Sequence, residues 1–96
     1  MITHLVLFKL KDPSPAVLES TRAVLMHMNG RVPSLKSIEV GIDRVRSSRS
    51  YDISLTTKFE TWDDLELYRR DPVHGRALAH LQNVVEHSIC VDYDDE

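Results

Sequence analysis

Residues 2–10, ITHLVLFKL, read as a β-strand that is apolar on both sides, and this limits the available folds more than any other feature. Successive side chains of a strand point to opposite faces, so His4, Val6, Phe8 and Leu10 share one side and Thr3, Leu5 and Leu7 the other. A strand with apolar residues on both faces belongs at the centre of a sheet and needs cover above and below. With 96 residues the chain makes one domain, residues 1–96, and has few elements with which to supply that cover.

The remaining elements follow from periodicity and punctuation. After the KDPSP stop, Asp12 or Ser14 is placed to cap a helix carrying Val17, Leu18, Val24, Leu25 and Met28 at helical spacing, ended by Gly30. SIEVGID alternates Ile38, Val40 and Ile42 against polar residues and glycine, and YDISLTTKF alternates from Tyr51 to Phe59, so both read as strands. Thr61 caps a helix through WDDLELYRR, and Asp71 caps a further one from Pro72, whose stripe is Leu78, Leu81 and Val85. HSICVDY closes the chain as a strand. The order β-α-β-β-α-β, with its second helical region broken in two, predicts an α+β, ferredoxin-like protomer. Its four-stranded antiparallel sheet has the first and third strands in the middle and the fourth beside the first. Helices on one side leave the other sheet face bare. A bare face carrying Val6, Phe8 and Leu10 is larger than monomers tolerate, which predicts a homodimer whose two sheets pack as an α/β barrel.

Composition excludes several functions. Hydrophobic residues make up 42% and charged residues 28%, an ordinary globular balance, and the net charge of −3 speaks against a nucleic-acid partner. The arginines of DRVRSSRS (Arg44, Arg46 and Arg49) read either as a solvated loop or as an anion contact. The single cysteine, Cys90, forms no internal disulfide and reads as a buried, inert thiol, which fits a cytoplasmic location. No stretch reaches the ~20 apolar residues of a membrane span, and no targeting signal is evident.

The stretch LYRRDPVHGRA carries the chemistry. Tyr68 and His74 are six positions apart, about 240° out of phase on one straight helix, but the Asp-Pro break lets the chain turn between them. His74 falls near the third position of a helix whose positive end disfavours an imidazolium. Ser88, Cys90 and Asp92 share one side of the last strand, and Asp92 falls near His4 once that strand pairs antiparallel with the first. Each residue also has a bland reading: His74 as a satisfied half-buried histidine, Tyr68 as an anchor of the helix junction, His4 as a strand-end residue. His27 and His80 read as exposed, and no ligand spacing supports a metal site.

The N-terminal MITHLVLFKLKD, the central IEVGIDRVRSSRSYDISLTTKFETWDDLELY, and YRRDPVH followed by a closing VDY together resemble the stress-responsive dimeric α/β-barrel (Dabb) family over nearly the whole chain. The resemblance implies a ferredoxin-like protomer and a two-protomer barrel, and the acid–base chemistry open to Tyr68 and His74 calls for no cofactor. One plant member closes a linear polyketide by an aldol reaction through a Tyr-x-x-His-Pro-x-His arrangement. Tyr68 and His74 match its tyrosine and last histidine, Asp92 the aspartate partnering that histidine, and His4 a pocket histidine, whereas Asp71 replaces the histidine before the proline. By that likeness the catalytic candidates are Tyr68, His74 and Asp92, and the ligand-binding candidates His4, Val6, Phe8, Ser88 and Cys90. Three readings stay open: a barrel protein binding a small apolar or carbonyl-containing ligand, a cyclase- or isomerase-like enzyme, and a non-catalytic oligomerisation module.

Overall fold

In the computed structural model, which describes residues 1–95, the elements run β1 (Ile2–Leu10), α1 (Pro15–Met26), β2 (Ser37–Ile42), β3 (Ile53–Phe59), α2 (Trp62–Arg70), α3 (Pro72–Val84) and β4 (Val85–Asp94). The antiparallel sheet has the order β2-β3-β1-β4, so β1 and β3 are central and the fourth strand flanks the first, as the pattern predicts. β1 and β4 meet with His4 opposite Asp92, Val6 opposite Cys90 and Phe8 opposite Ser88. Thr61 caps α2 by accepting from the Asp64 N–H at 3.1 Å, and Asp71 caps α3 by accepting from the Val73 N–H at 2.8 Å. Neither expected cap of α1 acts through its side chain: Ser14 holds the N-cap position without a cap bond, and Asp12 accepts from the Ser14 N–H instead. Gly30 takes a left-handed φ of 78° just beyond α1, a conformation that costs glycine little.

The two faces of β1 are covered differently from the expectation. Val6, Phe8 and Leu10 lie under the helices, because their side of β1 continues into Ile53, Leu55 and Phe59 of β3, all buried in one core with Leu18, Leu25, Leu65 and Leu81 of the helices. The bare face is the other one. It carries Leu5 and Leu7 beside Ile89, Val91 and Tyr93 of β4, which are 44%, 49% and 43% exposed. Towards β2 the same face turns polar with Ser54, Thr56 and Lys58. The uncovered apolar surface is thus confined to the β1–β4 half, and β4 supplies most of its exposed area.

Four further readings are corrected. β3 begins at Ile53 rather than Tyr51, because Asp52 turns inward: its carboxylate accepts from the Leu10 N–H at 2.7 Å and from Arg46 at 2.8 Å. Arg46 is therefore an anchor of its loop. Its φ of 57° is held by the bonds its N–H and guanidinium make to Asp43 and Asp52, while Arg44 and Arg49 are exposed. On α3 the buried positions are Ala77 and Leu81; Leu78 is 43% exposed and Val85 already opens β4. His80 is half-buried with its Nε2 unpartnered, whereas His27 is exposed as expected.

Candidate functional site

Between the helix-covered side of β1–β4 and the α2–α3 junction lies a cavity of about 250 Å³. Every ligand-binding candidate from the sequence (His4, Val6, Phe8, Ser88 and Cys90) lines it, as do Tyr68 and His74. Met28 and Leu78 complete parts of the wall that the sequence did not point to. The cavity exists because α2 and α3 end their cover short of the edge strand β4, so alternate residues of that strand face open space rather than a helix. The same gap explains Cys90. Its thiol is exposed at the cavity wall, not buried, since no element packs over that stretch of β4.

The Asp-Pro break does bring the phenol and the imidazole together. Asp71 is extended (φ −68°, ψ 134°), which ends α2, reverses the chain and starts α3. The rings of Tyr68 and His74 then lie 4.4 Å apart between centroids, tilted by 53°. Tyr68 also packs on Phe59 at 5.1 Å and stands edge-on to His4 at 6.4 Å. Burial pushes the Tyr68 phenol up to about 12, so near neutrality it is a hydrogen-bond donor. Burial is also the main reason that the His74 pKa falls below the ordinary imidazole value. The Arg69 carbonyl and the Asp71 carboxylate oppose that shift, while repulsion between the His74 imidazolium and its neighbours His4 and Arg69 adds to it. A neutral ring is what a proton acceptor needs.

Asp92 does not serve His74. Its carboxylate bonds the Nδ1 of His4, directly opposite on the neighbouring strand, and its second oxygen lies 3.7 Å from the Arg69 guanidinium. Cross-strand pairing on one face brings Asp92 to His4, whereas His74 sits on α3 with its Nδ1 buried and unpartnered. Of the candidate residues, the structure joins Tyr68 to His74 and His4 to Asp92, and Tyr68, His74 and His4 line the same cavity. Arg69 was missed. Its only sequence signal is its place beside Tyr68 in the last turn of α2, where a basic residue already has a reason to be.

The architecture is that of a ferredoxin-like α+β protomer with a one-sided helical layer and an apolar cavity bearing a phenol and two imidazoles. Residues 2–95 match the Stress responsive A/B Barrel Domain (Dabb), and the chain belongs to that family. A dimeric protein of unknown function and ferredoxin-like fold from Bacteroides fragilis is 30% identical, with a TM-score of 0.84 over 97% of this chain and 94% of its own. A dimeric ferredoxin-like protein of unknown function from Thermobifida fusca is 25% identical, with a TM-score of 0.85 over 96% and 88%. The hydroxynitrile lyase of Passiflora edulis shares the fold at 14% identity, with a TM-score of 0.83 over 99% of this chain and 94% of its own. No curated protein matches the chain.

Proposed function

We propose that the chain works as a homodimeric barrel whose cavity takes a small, mostly apolar carbonyl compound and assists proton transfer at the carbon beside the carbonyl. The observation carrying this reading is the gathering of Tyr68 with two imidazoles, His74 at 4.4 Å and His4 at 6.4 Å between ring centroids, at the wall of the cavity. A protonated phenol can donate to a carbonyl oxygen as enolate charge develops on it, and one of the two imidazoles lining the same cavity can accept the proton. The walls fit an apolar body with a polar group: Val6, Phe8, Leu55 and Leu81 supply apolar lining, and Tyr68 has the rings of His4 and His74 close by. The bare face of Leu5, Leu7, Ile89, Val91 and Tyr93 supports the homodimer, as does the dimeric state of the Bacteroides and Thermobifida proteins.

The test uses 2-heptanone as a probe. Titrated into ¹⁵N-labelled protein, it should move the amide signals of Tyr68, His74, Ala77 and Cys90, whereas glycerol should not. In D₂O the wild-type protein should speed exchange of the ketone's α-protons, and Tyr68→Phe should slow that exchange. A spectrum left unmoved at millimolar ketone, with no exchange above buffer, refutes the reading.

A further inference from the structure

The two histidines of the cavity are not equivalent, and their surroundings divide the work between them. We propose that His4 is the proton-accepting catalytic residue of this site, with Asp92 and Arg69 as its positioning residues. This rests on the carbonyl-compound reading and settles which imidazole acts as base.

The argument starts from hydrogen-bond inventory. A carboxylate can only accept, so the bond between Asp92 and His4 places the ring hydrogen on Nδ1. That leaves the lone pair of Nε2 free, on a ring that lines the cavity. His4 and Asp92 come from directly paired positions of β1 and β4, which fixes the imidazole on two strands at once. The remaining carboxylate oxygen faces Arg69 at 3.7 Å, so α2 holds Asp92 from the other side. A carboxylate behind the ring also stabilises the imidazolium that forms when Nε2 takes a proton.

His74 has a backbone carbonyl, that of Arg69, beside its ring but no carboxylate bonded to it. Its Nδ1 is buried without a partner, and the carboxylate nearest in sequence, Asp71, is occupied in capping α3. A proton on that ring would be a buried positive charge with no anion bonded to it. The groups around His4 are Asp92 from β4, Tyr68 and Arg69 from α2, and His74 from α3, while β3 contributes the uncharged Thr57. Only Asp92 among them is an acid bonded to the ring. His74 then acts as a neutral contact that holds Tyr68 in place.

The step balances without any added reagent. The C–H bond beside the carbonyl breaks, its hydrogen moves as a proton to His4 Nε2, and its electron pair becomes the C=C bond of the enolate. The carbonyl π pair shifts to oxygen, where the Tyr68 O–H donates. In D₂O the ring exchanges its proton with solvent and returns a deuteron to carbon.

Two measurements test this. In protein labelled with ¹⁵N-histidine and held at alkaline pH, the neutral His4 ring should appear as the Nδ1–H tautomer, and Asp92→Leu should abolish that preference. With 2-heptanone in D₂O, His4→Gln should lose roughly 10²-fold or more in α-proton exchange, the usual scale of a general base, and His74→Gln should lose less. An Nε2–H tautomer at His4 in the wild-type protein would overturn the assignment without recourse to any variant. So would exchange by a folded His4→Gln protein within twofold of wild type. No exchange in the wild-type protein removes the functional reading and this assignment together; exchange that survives His4→Gln removes this assignment alone.

Discussion

Replacing Asp52 by alanine is the perturbation whose cost can best be worked out from the geometry. The carboxylate is 1% exposed and makes two bonds, one to the Leu10 N–H at 2.7 Å and one to Arg46 at 2.8 Å. Hydrogen bonds to a charged group contribute about 1.5–3 kcal/mol each, but the Arg46 side chain is 42% exposed and regains water when the bond is lost. Its bond therefore counts at the lower, surface scale. The Leu10 N–H has no such relief, since it is left buried and unpaired. The sum for Asp52→Ala is a loss of ~2–4 kcal/mol, against about 0.5–1 kcal/mol for Arg46→Ala. Urea unfolding followed by circular dichroism, run at two protein concentrations to separate dimer dissociation, measures both. Burial pushes the Asp52 pKa up, but the Leu10 N–H and Arg46 outweigh it and the net shift is downward. Its contribution is therefore complete above the ordinary carboxylate value of 3.8 and fades as pH falls through the lower folded value. The gap between wild type and Asp52→Ala should narrow in that acid range. A cost below about 1 kcal/mol, or equal costs for the two variants, refutes the claim that this carboxylate ties β3 to the end of β1.

Three other outcomes follow from the same structure. Val91→Lys puts a charge at the middle of the bare face and should halve the mass seen by sedimentation while leaving the circular dichroism spectrum intact; an unchanged mass refutes the face assignment. Because the folded-state pKa of His74 is lowered, the unfolded chain binds the extra proton first, so stability is full above pH 6.5 and declines as pH drops through the lower folded value. His74→Gln should remove that part of the slope in denaturation midpoints measured from pH 7 to 5. Asp71→Ala removes the bond to the Val73 N–H and should cost ~0.5–2 kcal/mol, while also loosening the Tyr68–His74 contact, read as altered ring-proton shifts of both residues.

Much of the architecture was legible because it rests on periodicity and caps. The alternation of β3 from Ile53 to Phe59, and Thr61 and Asp71 ahead of their helices, need no tertiary information. The choice of face on β1 was not legible. Both sides of ITHLVLFKL are apolar, and only the register with β3 decides that Val6 and Phe8 go under the helices while Leu5 and Leu7 stay outside. The meeting of Tyr68 with His74 followed from the Asp-Pro break, a local feature. For Asp92 the two lines of reading diverged: antiparallel pairing of the end strands placed it near His4, where it lies, whereas likeness to a relative pointed to His74. Cys90 was misjudged for a related reason: an apolar neighbourhood in sequence says nothing about whether a helix reaches far enough to cover it.

Strand β4 does two jobs with alternate residues: Ser88 and Cys90 wall the cavity and Asp92 backs its His4, while Ile89, Val91 and Tyr93 lie on the bare face of the sheet. A shift of this strand by a fraction of an ångström reaches both surfaces at once. In the proposed homodimer, whatever coupling free energy an occupant gains from assembly must be returned to the assembly equilibrium with the same magnitude and sign. Where that coupling is favourable, dilution should weaken small-molecule affinity although the residues lining the cavity come from one polypeptide.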